Sequence, residues 1–371
     1  VETANDQLDE RPGSVAGGYL RADEVVEQDL TYITTALKEE FAKLRGEKLL
    51  IVGGAGFLGY YLVQSAVKAG IDVTVYDNFM RGIPDWLISL EGVTVTKHDI
   101  RDPLPADADF SYIIHAGSIA SPTFYRNYPI ETMDANVNGL RNVLEYGKAN
   151  AIKGLLFYSS SEIYGDPDPA FIPTSEDYRG YVSCTGPRAC YDEAKRYGET
   201  LCVNFARVHN VPVTVARPFN NYGPGLKITD RRVIADFVRD VMAGRDIVML
   251  SDGSPMRTFC YVADAVIGYY KVLVNGQPGE AYNIGVETPE ISMAELAERI
   301  VTLGRDLFGY EGKVVREESA DSEYLIDNPN RRCPIITKAR EHVGYDPQVG
   351  IDEGLRRSML WYNGNRVAED L

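Results

Sequence analysis

The stretch Lys48-Leu49-Leu50-Ile51-Val52-Gly53-Gly54-Ala55-Gly56-Phe57-Leu58-Gly59 decides the fold. Its apolar first half reads as a short buried strand, and the residues after Gly59 carry the spacing of an amphipathic helix. Gly-x-x-Gly-x-x-Gly between strand and helix lets the backbone approach a pyrophosphate, with the helix N-terminus facing its charge. Glycines alone are weak evidence. Here the next strand, 73–76, ends in Asp77-Asn78, an acid at about the spacing such a site requires. A carboxylate there accepts from ribose hydroxyls and repels a 2′-phosphate, so the expected cofactor is NAD rather than NADP. Its expected contacts begin with Gly53, Gly56, Phe57, Leu58, Gly59, Asp77 and Asn78.

Strand and helix go on alternating. A strand at 93–96 leads to His98-Asp99-Ile100, where Asp99 is expected to meet an adenine amino group, with Ile100 beside it. A strand at 112–115 opens into Ala116-Gly117-Ser118, a helix is expected over 130–148, and 154–158 is another apolar strand. The pattern is α/β, a Rossmann-type doubly wound parallel sheet with ligand loops at the carboxyl ends of its strands. Ser159-Ser160-Ser161-Glu162 closes the last strand and brings hydroxyls and a carboxylate to the cleft mouth. The proline- and glycine-rich run 165–187 reads as a substrate-side loop.

Tyr191-Asp192-Glu193-Ala194-Lys195 follows on a helix, so the phenol and the ammonium share a face. A neighbouring positive charge favours the ionised phenol, so Lys195 is expected to lower the pKa of Tyr191 and make it a base for a sugar hydroxyl. Ser160 would orient that hydroxyl. With NAD, these three residues describe oxidation of a secondary alcohol by hydride transfer.

A strand at 211–217 and the loop 218–224 end this region, and beyond it the regular alternation dissolves. Helices are expected over 229–243, 292–307 (opened by a Ser292/Glu295 capping box) and 352–363, with strands at 246–250, 257–261 and 313–316. The expected organisation is an acidic N-terminal extension over 1–45, an NAD-binding domain over 46–217 that regains part of 256–285, and a smaller nucleotide-sugar lobe over 218–371. Residues 1–19 are expected to be poorly ordered. Over 22–45, Leu30, Ile33, Leu37, Phe41 and Leu44 form one helical stripe expected to pack on the body of the protein.

A hydrophobic content of 44% and a charged content of 25% over 371 residues suit a globular protein with a sizeable core. The formal net charge of −16 argues against nucleic acid and against an acidic membrane surface, so an anionic substrate must meet a local pocket of arginines. The five cysteines form no Cys-x-x-Cys pair and read as reduced thiols of a cytoplasmic protein; Cys190 is expected to pack, not to attack. The histidines lack metal-ligand spacing, so no metal is expected. No apolar run is long enough for a bilayer, and no secretory signal is expected.

Gly53 to Gly59, Ser159 to Gly165, Tyr191 with Lys195, and Arg217 to Pro224 together resemble the extended short-chain dehydrogenase/reductase family acting on nucleotide sugars, over about residues 47–362. Within it, the segments 120–125, 186–196 and 257–261 are similar to the UDP-glucuronate decarboxylase (UDP-xylose synthase) branch. A 4,6-dehydratase of the family carries an aspartate before the glutamate to protonate a leaving hydroxyl; Ser161 stands there instead and is a poor acid. A 4-epimerase needs no carboxylate at Glu162. The resemblance therefore implies C4 oxidation and decarboxylation of a UDP-hexuronate, with Glu162 positioning the sugar or handling protons at C5. It implies Ser121, Tyr125, Asn220, Arg232 and Arg257 as substrate contacts, Arg257 at the diphosphate. Arg332 is implied near the sugar carboxylate, with Arg331 as the alternative register. Arg188 is a weaker candidate, as readily a surface ion pair. A homodimer is implied. Gly225 departs from the branch, which usually has an arginine after Tyr-Gly-Pro. The alternatives are a 4,6-dehydratase, a 4-epimerase or, more remotely, a non-catalytic nucleotide-sensing scaffold.

Overall fold

The computed structural model describes residues 20–317, 326, 328–366 and 370, so the expectation for 1–19 lies outside the described residues. Its centre is a parallel sheet of β1 (Lys48–Val52), β2 (Asp72–Asp77), β3 (Val93–Lys97), β4 (Tyr112–His115), β5 (Gly154–Tyr158), β6 (Val213–Pro218) and β7 (Ala281–Ile284). Their order across the sheet is β7-β6-β5-β4-β1-β2-β3. The direction of winding reverses between β1 and β4, which opens a crevice at their carboxyl ends. Leu50, Ile51, Ile113, Ile114, Leu155 and Leu156 are fully buried, as strands covered by helices on both faces must be.

Several boundaries differ from the sequence reading for physical reasons. β6 begins at Val213, not 211, because Pro212 has no N–H and the Val211 N–H instead closes the preceding helix on the Phe205 carbonyl. The helix expected over 130–148 starts at Pro129 and passes through a π-turn at Ala135–Gly139 before Leu140–Ala149. Gly139 abuts Ile100 there, since a Cβ would lie 2.7 Å from Ile100 Cγ2. The alternation that seemed to dissolve after residue 224 resumes with the Val262–Asn275 helix and β7, which pairs with β6. That helix buries nearly all its surface, including Tyr269 and Tyr270, so it shows no one-sided stripe.

The N-terminal helix breaks into Ala22–Ala36 and Lys38–Leu44. Its stripe from Leu30 to Leu44 is buried on the body of the chain, where Phe41 meets Tyr270 edge-on at 4.9 Å. Asp29 accepts hydrogen bonds from Tyr61 (2.6 Å), Arg357 (2.6 Å) and Tyr261, which ties this helix to Gly59–Lys68 and to Ile351–Gly364.

The smaller lobe is built from short strands. Met256–Arg257 lies between Ile291–Ser292 and Arg331–Arg332, with Arg332 directly opposite Arg257. The strand expected over 257–261 is thus two pieces, the second (Cys260–Tyr261) pairing with Asn221–Tyr222 in another sheet. Val233–Met242 is shorter at its start than the helix expected over 229–243. The expected cap of Met293–Phe308 is present, Ser292 Oγ accepting from the Glu295 N–H at 3.1 Å.

Candidate active site

The crevice between β1 and β4 widens into a cleft of about 590 Å³, bordered by every residue singled out above for catalysis, cofactor or substrate, and by Arg188. Gly53 takes a φ of +79°, and a Cβ there would lie 2.6 Å from Gly117 Cα, so the loops after β1 and β4 meet backbone to backbone. Gly59 lets its helix settle on Gly54, whose carbonyl oxygen would lie 2.1 Å from an added Cβ. Side chains are thus excluded where a pyrophosphate must approach. Asp77 at the end of β2 accepts from the N–H of Ala55 (3.1 Å) and of Phe79 (2.8 Å). Burial raises its pKa and these bonds oppose the rise; each oxygen keeps a lone pair for ribose hydroxyls. The residues fit a dinucleotide.

Asn78 donates to Asp99 at 3.3 Å, and Arg101 binds both Asp99 oxygens at 3.0 and 2.8 Å, holding that carboxyl down at about 2. Asp99 is therefore tied to Arg101 of its own loop and to Asn78 of the loop after β2, while buried Ile100 lines the cleft beside it.

Ser160 Oγ accepts from the Glu162 N–H (3.1 Å), capping the short Ser161–Tyr164 turn, and lies beside the Tyr191 phenol, whose pKa it lowers. Tyr191 stacks on Tyr125 with centroids 5.0 Å apart and planes 13° apart. Cys190 packs as expected, its Sγ 3.6 Å from the Tyr125 carbonyl. The expected effect of Lys195 on Tyr191 is not found. The ammonium donates to the Tyr158 carbonyl at 2.7 Å and lies 5.5 Å from the Tyr191 ring centroid. Burial drives Lys195 down to about 7 and Tyr191 up to about 12, and the Ser160 hydroxyl is the main group pulling the phenol back. Desolvation outweighs a partner that is itself only partly charged near neutral pH.

That depressed lysine has a measurable consequence. Between about 7 and the usual 10.5, the unfolded chain holds a proton that the folded chain has released, so this group makes stability rise with pH across that window. A Lys195→Met variant should lack the rise. The melting-temperature difference should move in favour of the wild type from pH 7 to 10, and a constant difference would refute a neutral buried lysine.

Glu162 is the hub of the cationic side. Arg332 donates through Nη1 and Nη2 to its two oxygens, the second at 2.8 Å, and Arg188 Nη2 also meets Oε2. Arg257, beside Arg332, bonds neutral groups: the Met256 carbonyl (2.8 Å), Asn328 Oδ1 (3.2 Å) and the Pro329 carbonyl. Burial works to raise the Glu162 pKa, but Arg188, Arg332 and Arg257 outweigh it and hold the carboxyl well below its usual range. Burial and then Arg332 push Arg257 down to about 9. Among the described residues three guanidiniums thus converge on one carboxylate, with Asp192 3.9 Å from Arg188 Nε. Arg331 turns away to pair with Glu290 at 2.7 Å, which places Arg332, not Arg331, in the cleft. Arg188 is no surface residue; it is buried and directly precedes the Ala189–His209 helix that carries Tyr191.

The sequence reading missed Asp230. Buried, it accepts from Arg81 Nη1 (2.6 Å) and forms an ion pair with Arg232, whose Nε lies 2.9 Å from Oδ1, while its carbonyl accepts from Ser121 Oγ (2.9 Å). The loop before Val233 is thereby fastened to the loops after β2 and β4, with Arg232 held 5.7 Å over the Phe57 ring. Asn220 donates to the Thr258 carbonyl at 2.9 Å. Gly225 (φ +91°) leaves no room for an arginine, since a Cβ would lie 2.4 Å from Tyr60 Cβ.

Residues 49–285 match the NAD dependent epimerase/dehydratase family, and the chain belongs to that family; its cofactor is NAD. Among characterised relatives, it is 36% identical over 320 residues to UDP-glucuronic acid decarboxylase 1 of Xenopus tropicalis, covering 85% of this chain and 72% of that one. It is 38% identical over 312 residues to UDP-glucuronic acid decarboxylase 5 of Arabidopsis thaliana, covering 83% and 87%. Among solved structures, an epimerase of Methanothermobacter thermautotrophicus matches with a TM-score of 0.78 at 28% identity, covering 90% of this chain and 96% of that one.

Proposed function

We propose that this protein is a UDP-glucuronate decarboxylase, a carboxy-lyase that oxidises C4, releases CO2 from C5 and restores the C4 hydroxyl to give UDP-xylose. The observation that carries this reading is the buried surplus of guanidinium around Glu162, within the cleft that holds the Tyr191 phenol. A neutral hexose would leave that charge unanswered, whereas a hexuronate brings a carboxylate to it and a diphosphate to Arg257. Bound NAD supplies the acceptor for the C4 hydride and the source of its return. Tyr191 acts as its phenolate, the phenol first releasing its proton to solvent, and takes the proton from the C4 hydroxyl beside Ser160. The C5–C6 bond then breaks, and its electron pair passes into the new C4 carbonyl as CO2 leaves. Tyr191 and Ser160 hydrogen-bond the enolate oxygen, C5 takes up a proton, and Tyr191 returns its own proton as C4 is reduced. The balance is one proton consumed and one CO2 released. Incubation with UDP-glucuronate should release CO2 and yield a UDP-pentose; a C4 epimer without gas, or a 4-keto-6-deoxy sugar from a neutral hexose, would overturn the assignment.

We further infer a homodimer through the Ala189–His209 helix. Tyr197 and Val208, about three turns apart on one face, are 51% and 61% exposed, and nearby Ile130 is 60% exposed. Sedimentation should show a dimer that Val208→Glu converts to monomer; a wild-type monomer would end this inference. The unpaired state of all five cysteines supports a cytoplasmic location.

A further inference from the structure

Three loops at the carboxyl ends of the sheet are fastened to one short segment of the smaller lobe, residues 225–232. At the loop after β1, Gly225 packs so closely that a Cβ would lie 3.0 Å from the Phe57 carbonyl oxygen, and Arg232 stands over the Phe57 ring. Two ties run to the loop after β2. Arg81 Nη1 donates to Asp230 Oδ2 at 2.6 Å, and Lys227 Nζ donates in return to the Arg81 carbonyl at 2.8 Å. After β4, Ser121 Oγ donates to the Asp230 carbonyl, and the Arg81 guanidinium lies 4.6 Å from the Phe124 ring centroid. These loops border the dinucleotide cleft, and Asp230, Arg231 and Arg232 border it from the other lobe. A dinucleotide reaching from Gly53 to Asp77 therefore lies between the loops and the segment.

Backbone and exposure single out one of these ties. Arg231 takes a φ of +69°, a left-handed conformation that a residue with a side chain holds only where its surroundings impose it. Its neighbours Asp230 and Arg232 supply those anchors. The Arg81 side chain is 38% exposed and that of Asp230 only 3%. Water and salt thus reach one side of the pair, which can part while Asp230 keeps Arg232. A break there opens no hydrophobic core.

We propose that residues 225–232 form a strap across the cofactor cleft, and that the Arg81–Asp230 pair is its clasp, setting the rate at which NAD enters and leaves. The clasp joins protein to protein, so parting it costs the same whether or not NAD lies beneath. Entry and exit are slowed together, and affinity is left to the residues that touch the cofactor. Retention matters to an enzyme that must return the hydride it has removed, because NAD lost between the two transfers would strand the C4 ketone. The strap itself does not depend on which sugar is oxidised.

The test is exchange of bound NAD for isotopically labelled NAD on the holoenzyme, followed by mass spectrometry, with the Kd for NAD taken from equilibrium dialysis. Arg81→Met should exchange about 10-fold faster with an unchanged Kd. Arg81→Lys, whose ammonium can still meet Asp230, should stay nearer the wild type. Added salt should quicken exchange in the wild type more than in Arg81→Met, because it screens the half-exposed pair. Lys227→Met cuts the other tie between the same two loops and should also quicken exchange, which keeps the test open if Arg81→Met fails to fold. Exchange at the wild-type rate in both methionine variants would overturn the proposal. Faster exit with a Kd weakened to match would overturn it too, by making Arg81 a direct contact of the cofactor.

Discussion

Tyr191→Phe should lower CO2 release from UDP-glucuronate by about 10²- to 10⁴-fold, the usual worth of a positioned general acid–base group. Binding of the sugar nucleotide should survive. Phenylalanine keeps the ring that stacks on Tyr125 at 5.0 Å, so the packing is retained and the proton carrier is lost. No neighbour replaces it: the Lys195 ammonium is committed to the Tyr158 carbonyl, and Ser160 is an alcohol with no base of its own. Single-turnover release of CO2, set beside a binding titration, separates the two effects. A variant that turns over normally would remove Tyr191 from the chemistry, and one that binds poorly but reacts at the normal rate would make it a binding residue.

Glu162→Gln should cost about 3 kcal/mol of stability, the low end for a broken buried ion pair because 19% of the side chain is exposed. The variant retains the shape but leaves Arg188, Arg332 and Arg257 without their shared anion. Anions that enter the cleft should restore part of the loss, since a ligand of the folded state stabilises by mass action. UDP-glucuronate should therefore raise the melting temperature of the variant more than that of the wild type. The sign with pH follows from the depressed carboxyl. Its stabilisation is present above the usual 4.5 and is lost as pH falls through the lower folded value, so wild type and variant should converge in acid. Equal stability at pH 7 would mean that the guanidiniums do not depend on Glu162.

Charge on the arginines links these results. Burial and mutual repulsion both discourage guanidinium groups so close together, and burial first, then the charge of Arg332, lower Arg257 to about 9. A site assembled at such a cost binds anions best when they arrive dehydrated and paired, which suits a substrate carrying both a diphosphate and a carboxylate. Asp230 has a complementary place, joining Arg81 and Arg232 across the cleft and fastening the smaller lobe over the cofactor loops.

Local chemistry was legible along the chain. Gly53, Gly56 and Gly59, the acid at Asp77, and the Tyr191–Lys195 spacing each express geometry within a few turns or one strand–loop–helix unit, so residue type and interval were enough to place them in one cleft. The Val262–Asn275 helix was not legible, because an element buried on all sides has no polar face to give a period. Nor was the role of Arg188 or Asp230. Their partners, Glu162 for the one and Arg81 for the other, lie far away in sequence, and an arginine at a surface and one in a cleft look alike as letters. The strand register that sets Arg257 against Arg332 exists only once two short segments pair.

Neighbouring residues were enough to set the α/β fold, the dinucleotide loop and the Tyr191 phenol on the cleft, because short-range sterics and helical spacing act within a few turns. The protonation of Tyr191 and Lys195, and which arginines crowd Glu162, emerge from the folded molecule alone. Both depend on desolvation and on charges brought together from distant parts of the chain, and these arise only when the lobes close around the cleft.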